Sequence, residues 1–328
     1  MLMWNKYPIF NIASDTEFEK IALQIFRFQA ENNAIYKRFI KYLNINPANV
    51  KSIENIPFLP IQFFKEYQVV SANKPFDNIF KSSGTSGMTR SKHFVKDIRL
   101  YEESFLRGFA HFYGNIKEYT ILALLPSYVE QGNSSLVYMV EKLIKESGKE
   151  ASGFYLNNHQ ELSKTLQALE QKKEKILLIG VSYALLDLVE AHKFNLSHTI
   201  IMETGGMKGR RKEMLREELH QILCNGFGVS TIHSEYGMTE LLSQSYSNGN
   251  GVFYSPAWQK ILIRDTEDPF TYLHDGKTGG INIIDLANIY SCSFIATQDL
   301  GKKHKNSFEI LGRFDNSDIR GCNLLILK

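Results

Sequence analysis

Residues 81–90 read KSSGTSGMTR, with Ser82, Ser83, Thr85 and Ser86 set around Gly84 and Gly87 between a lysine and an arginine. Glycines at such spacing let the backbone turn its N–H groups inward, and the hydroxyls add donors, so the stretch can form a concave nest for phosphate oxygens. A polar surface turn has the same composition, so both readings stand. The spacing GxxxxGK[ST] is absent, which excludes a Walker A loop. A second stretch, HSEYGMTE (233–240), ends in the pair Thr239 and Glu240. Alone, Glu240 reads as an ordinary surface carboxylate. Placed about 4 Å from a triphosphate charge it would cost roughly 4 kcal/mol at an effective dielectric of about 20. Glu240 in that setting would need Mg²⁺ between itself and the phosphate, an ion that takes oxygen ligands.

Composition limits what else the chain can be. With 328 residues, 43% of them hydrophobic, it can bury a large core. A net charge of +3 and no long Lys/Arg block give no footprint for nucleic acid or an anionic membrane surface. The opening MLMWNKYPIF lacks the features of a secretory signal, and the longest apolar run, ILALLP at 121–126, is too short to span a bilayer. Cys224, Cys292 and Cys322 show no CxxC spacing, hence neither a disulfide framework nor a zinc site. Cytoplasmic localisation is the expectation.

The elements that must carry these residues change in texture along the chain. Residues 1–75 read as a helical lead-in: SDTE (14–17) has capping-box spacing, and Phe18, Ile21, Ala22, Ile25 and Phe28 follow at helical intervals. Two prolines in IPFLPIQFFK (56–65) mark a turn. Residues 76–225 read as the α/β part. There YTILALLP, KILLIG and HTIIMETGG look like buried strands followed by amphipathic helices such as SYALLDLVEAH and RRKEMLREELHQIL, which implies parallel βαβ units. Ligands in such sheets lie beyond the strands' carboxyl ends, so Glu203–Gly206 is a candidate ligand floor. Residues 226–328 read as a β-rich, mostly antiparallel part with strands at GVSTI, AWQKILIRD, GGINIIDL and SCSFIATQDLG. No repeat or linker separates these parts, so the expectation is one body, an α/β fold of βαβ layers plus an antiparallel region. LLPSYVEQGNSSLVYMV (124–140) reads either as acyl-pocket lining or as plain core.

Taken in order, the motifs resemble the adenylate-forming superfamily of acyl-CoA synthetases, nonribosomal adenylation domains and firefly luciferase. SSGTSG is similar to its phosphate loop, and YGMTE to its YGxTE segment, here with Tyr236, Gly237, Thr239 and Glu240. Thr204, Gly205 and Gly206 resemble the turn that lines the adenine pocket, and TGGINIIDL (278–286) a TGEL-type strand. ATQDLG (296–301) is similar to the TGD segment, whose aspartate, here Asp299, holds the ribose. GRFDNSDIRG (312–321) resembles GRxxDxIKxxG, whose arginine, here Arg313, reaches the nucleotide. Within the superfamily the chain looks most like the acyl-protein synthetases of bacterial bioluminescence, by its length, its LPIQFFK segment and its DIRGCNL ending. Phenylacetate-CoA ligases are the next likeness.

The resemblance implies the large domain of such enzymes, with ATP and Mg²⁺ as cofactors and Glu240 as the metal-holding residue. A carboxylic acid, a fatty acid first, would become an acyl-adenylate and then pass to a thiol. It also implies that Cys322, in DIRGCNL, is the acyl-carrying cysteine, with a partner reductase or carrier protein as a further acceptor. Packing in a last strand is the other reading of Cys322, while Cys224 and Cys292 read as structural. An unperturbed thiol is about 3% thiolate at pH 7, and the neighbouring Arg320 and Arg313 would raise that fraction.

The departures from the superfamily pattern are specific. Ser86 stands for the usual threonine, MTRSK for the usual Pro-Lys, with Arg90 or Lys92 as substitute charges, and Gln298 for a glycine. Only CNLLILK follows, where most of the superfamily continues into a small mobile domain with a catalytic lysine. Another charge, a partner protein, or loss of adenylation would each account for that. An acyl-activating enzyme, a nucleotide-binding scaffold and a ligase that uses coenzyme A as acceptor therefore remain as competing classes.

Overall fold

The computed structural model describes residues 8–71, 73, 75–83, 89–126, 133–205, 211–212 and 214–313. Gly84–Gly87, Gly206 and Cys322 lie outside the described residues. Where the sequence suggests one body, the described chain divides into two compact units. One is built from the residues up to Asn73 and from Ala257 onward, the other from those between.

The first unit begins with helix α1 (Asp15–Asn32), whose N-cap is the expected one: Ser14 Oγ accepts from the Glu17 N–H at 3.2 Å. The Glu17 carboxylate reaches back to the N–H of Ala13, one residue before the cap, so the capping box is shifted by a position. The buried stripe holds Phe18, Ile21, Ala22 and Ile25, then Phe26 and Gln29, while Phe28 is only half-buried. The stripe's centre drifts because successive side chains turn by about 100°. Asn33 caps α2 (Ala34–Tyr42) through the N–H groups of Ile35 and Tyr36. Strand β1 (Leu59–Pro60) follows, then the short helix α3 (Phe63–Glu66). Pro60 is tolerated because the ladder bond at that point comes from the next residue, the Ile61 N–H donating to the Ala296 carbonyl at 3.0 Å.

The second unit opens with an antiparallel ribbon of β2 (Asn78–Lys81) and β3 (Lys92–Val95). Helix α4 (Ile98–Tyr113) leads to β4 (Tyr119–Leu124), followed by α5 (Ser135–Ser147), β5 (Gly153–Phe154), α6 (His159–Gln171), β6 (Lys175–Val181), α7 (Ser182–Ala191), β7 (Thr199–Thr204) and α8 (Arg216–Phe227). Strand β8 (His233–Tyr236) then pairs in parallel with β7, before β9 (Ser245–Ser247) and β10 (Val252–Tyr254) continue antiparallel. The order in this sheet is β10-β9-β8-β7-β6-β4-β5. Every residue of β4 is buried, as expected of a parallel strand covered on both faces.

Two expectations for this region shift. GVSTI is not a strand: Gly228 ends α8 in a left-handed conformation, and residues 228–232 carry the chain to a strand that starts at His233. The antiparallel region therefore begins after β8 rather than at residue 226. In the 124–140 stretch, Leu124, Leu125, Val137, Met139 and Val140 are buried, which is the plain-core reading for those residues.

The chain then returns to the first unit with β11 (Gln259–Arg264), β12 (Thr278–Asp285), β13 (Phe294–His304) and β14 (Ser307–Arg313), a four-stranded antiparallel array. Strand β1 lies parallel on β13, pairing Leu59 with Ile295. Helix α1 is tied to the same array by Gln29. Its Nε2 donates to the carbonyls of Asn288 and Ile289 at 2.9 and 3.1 Å and to Ser293 Oγ at 3.1 Å, and its Oε1 accepts from the Ser293 N–H at 3.0 Å. The aromatic rings of Phe26, Tyr36 and Phe58 pack around Phe294. Among the described residues no helix is long and apolar enough to cross a membrane.

Gln29→Leu keeps the volume but strands these buried backbone groups, at a cost of about 1–3 kcal/mol for each group left unsatisfied. It should lower the denaturant midpoint by the equivalent of about 2–4 kcal/mol. A midpoint within error of wild type would show that Gln29 does not secure α1.

Candidate active site

In the second unit the sequence-selected residues cluster at the carboxyl ends of β7 and β8. Thr204 is the last residue of β7 and stands beside Glu235 in the parallel register. Its hydroxyl donates to Glu235 Oε2 at 2.6 Å, both side chains being buried. Strand periodicity puts residue 237 on the same face as Glu235. A Cβ at Gly237 would sit 2.5 Å from Glu235 Oε1, so a side chain at this position of YGMTE would displace the buried carboxylate beneath it. Tyr236 is half-buried and meets Phe253 edge-on at 6.0 Å. The Arg216 guanidinium lies 5.0 Å above the Phe253 ring and 3.6 Å from the buried Glu203. Gly205 follows Thr204 with φ of +70°.

The ribbon carries the stretch of hydroxyls and glycines. Its ladder extends one residue past the strands: the Ser82 N–H donates to the Ser91 carbonyl at 3.1 Å, and the Ser91 N–H to Ser82 Oγ at 2.9 Å. Ser82 therefore closes the base of the loop, and Ser83 is exposed beside it. One step back, Lys81 faces Lys92 directly across the ladder, and both are exposed, as is Arg90. Like charges opposite one another in a ladder are unfavourable, so this end of the ribbon is an electropositive mouth suited to an anion. One more step back stands His93, paired with Phe80 and wholly buried. Its Nδ1 donates to the Thr239 carbonyl at 2.8 Å. Burial pushes its pKa down to about 4, so the ring is neutral at pH 7.

Glu240 is 5% exposed, which corrects its reading as a surface carboxylate. It sits in the turn closed by the Leu241 N–H to the Met238 carbonyl at 3.1 Å. Among the described residues no group of three His, Cys, Asp or Glu side chains could hold a metal ion. A cation at Glu240 would thus need ligand and water oxygens to complete its shell.

In the first unit, Asp299 on β13 stands opposite Arg313 on β14, with Arg313 Nε 3.7 Å from Asp299 Oδ1. Arg313 is 70% exposed, so this pair is weak and open to a ligand. The Asp299 N–H donates to Thr297 Oγ1 at 3.1 Å, and that hydroxyl donates to the Ile281 carbonyl at 2.8 Å. Buried Arg264 braces the same point, donating to the carbonyls of Ile281 and Thr297 at 2.8 and 2.6 Å and to Asn282 Oδ1 at 2.7 Å. Its guanidinium lies so close over Gly280 that a Cβ there would meet it at 2.5 Å. Gly280 is thus explained by the arginine side chain, whereas a Cβ at Gly279 would collide with the Arg264 backbone carbonyl. Burial pushes the Arg264 pKa down to about 10. Cys292 is buried, with its thiol pushed up to about 12, and Cys224 is half-buried on α8.

Sequence reasoning missed His93, Glu235 and Arg264. The spacing of Glu235 two residues before Gly237 on a strand, and the glycine pair beside the strand of Arg264, were the available signals. A lone histidine in a four-residue strand gives none.

Solved structures share this fold. ATP-bound MatB from Rhodopseudomonas palustris aligns with a TM-score of 0.53 at 17% identity, over 74% of this chain and 50% of that one. 2-Hydroxyisobutyryl-CoA ligase, in complex with 2-HIB-AMP and CoA, aligns with a TM-score of 0.63 at 14% identity, over 92% and 70%. The chain spans about half the length of MatB. Its fold is that of the large domain of adenylate-forming enzymes. No curated protein matches the sequence significantly. The family model of the acyl-protein synthetases, LuxE, matches residues 10–328, and the chain belongs to that family.

Thr204→Val removes the only proton offered by that side chain to the buried Glu235 carboxylate and should destabilise the protein by about 1–3 kcal/mol, whereas Thr204→Ser retains most of the stability. Urea midpoints of the two variants check this, and equal midpoints would mean that the hydroxyl contributes nothing.

Proposed function

We propose that this protein uses ATP to activate a carboxylic acid, with a medium or long fatty acid as the first candidate and an aromatic acid as the second. A carboxylate oxygen attacks the α-phosphorus, the bond to the bridging oxygen breaks, and pyrophosphate leaves. A thiolate then attacks the acyl carbon of the acyl-adenylate and AMP leaves, giving a thioester. The observation that carries this reading is the cationic mouth formed by Lys81 opposite Lys92, with Ser82 bonded to Ser91 at the base of the stretch rich in hydroxyls and glycines. Like charges held together at the base of such a stretch fit phosphate oxygens better than they fit a plain surface turn.

Ser82, Ser83, Gly84, Thr85, Ser86 and Gly87 take the phosphates in this reading. Thr204, Gly205 and Gly206 line the adenine, Tyr236 and Gly237 hold the nucleotide beside them, Asp299 takes the ribose, and Arg313 reaches the nucleotide. Thr239 and Glu240 stand at the reacting phosphate. The chemistry of the donors fits Mg²⁺ at Glu240: a hard carboxylate, buried, able to share an oxygen-rich shell with phosphates and water. Bound there, Mg²⁺ would neutralise charge on the phosphate oxygens. Cys322 is the first acceptor for the acyl group, followed by a thiol of a partner reductase or carrier protein.

Pyrophosphate exchange over a panel of carboxylic acids tests the reading. Fatty acids should support exchange, and Glu240→Ala and Asp299→Ala should each lower it by about a hundredfold or more with the circular dichroism unchanged. Failure of every acid to support exchange, alone or with a reductase or carrier protein present, favours a nucleotide-binding scaffold instead. Labelled fatty acid with ATP and Mg²⁺ should leave a hydroxylamine-labile label that Cys322→Ser loses and Cys224→Ser keeps. A label that survives Cys322→Ser removes that cysteine as the carrier, and transfer to free coenzyme A with no protein label points to a coenzyme A ligase.

A further inference from the structure

We infer that His93 is a positioning residue, holding the Thr239–Glu240 turn against the β2–β3 ribbon; the inference rests on the reading of Glu240 and the ribbon loop as the site for Mg²⁺ and ATP. The ribbon forms a two-stranded sheet of its own, and such a hairpin has little stability alone. One backbone bond ties it to the unit, the Lys81 N–H donating to the Asn133 carbonyl at 2.7 Å, and side chains set the rest of its placement. Phe80 seats one strand, meeting Tyr101 at 5.5 Å and Tyr138 at 5.6 Å. His93, opposite Phe80, joins the other strand to the turn through its 2.8 Å hydrogen bond. Ser91, which closes the loop base with Ser82, lies two residues before His93, and Glu240 is one peptide beyond the bonded carbonyl. The path from the electropositive mouth to the buried carboxylate is thus two residues, one hydrogen bond and one peptide unit.

The residue type suits that task. The Thr239 carbonyl can only accept, so the imidazole must carry its proton on Nδ1. A neutral ring gives a directed donor without placing a cation next to Glu240, where it would compete with Mg²⁺. A lysine could donate as well, but it would bring that charge. Phenylalanine fills similar space and donates nothing. Asparagine can present an amide N–H close to the position of Nδ1.

The test compares His93→Phe and His93→Asn in the full chain. In nucleotide-free protein, amide exchange of residues 238–242 should be about tenfold faster in His93→Phe than in wild type, as expected for loss of one buried hydrogen bond. Calorimetry should show Mg²⁺-dependent ATP affinity falling by a similar factor, about tenfold. The KM for Mg·ATP should rise while that for the acid stays put, and His93→Asn should recover most of each loss. Unchanged exchange in His93→Phe overturns the inference, as does equal impairment of both variants, which would reduce His93 to packing. Wild-type protein with no Mg²⁺-dependent ATP affinity overturns the nucleotide reading itself, and this role for His93 falls with it. Normal wild-type binding with an indifferent His93→Phe overturns the His93 role alone.

Discussion

The hydrogen bond from Thr204 to Glu235 is the constraint on which the second unit's site depends. It joins the last residue of β7 to β8 where the two strands leave the sheet, and both sequence motifs of that region start from it. Burying a carboxylate is unfavourable unless its oxygens find donors. The hydroxyl supplies one, and Gly237 leaves room for the other oxygen. Residues 204–205 and 236–240 thus depart from a shared anchor.

The first unit solves the same problem with a cation. Arg264 is buried among neutral acceptors on β12 and β13, and glycine beside it is what lets the guanidinium lie against the sheet. Thr297, held by the same carbonyl that Arg264 holds, fixes the N–H of Asp299. In both units the residues that would touch a ligand stand on a layer of buried polar groups, each satisfied by a partner of opposite character.

Much of this was legible beforehand. The strands of the parallel region announced themselves because they are covered on both faces and read as unbroken apolar runs, as in β4 and β6. The cap of α1 was visible in SDTE because capping chemistry is local. The motif residues could be picked out by type and order, through their resemblance to the segments of a known superfamily. What stayed hidden was long-range. His93 finds Thr239 across 146 positions, and Gln29 finds Ser293 across 264, and no local spacing encodes either. Burial of Glu240 was equally hidden, because a charged residue next to polar ones reads as surface until the turn that encloses it is known.

The parallel pairing of β1 with β13 has a consequence for how the protein comes to exist. Strand β1, α1 and α2 leave the ribosome first, yet Phe294 and Ser293, which receive Phe26, Tyr36 and Gln29, arrive only after the whole of the intervening unit has been made. Domains generally fold as units during synthesis, so the intervening unit can complete its core while α1 and α2 wait with apolar faces uncovered. A synonymous or translational change that slows synthesis between residues 74 and 256 would lengthen that wait without altering a single contact in the finished protein.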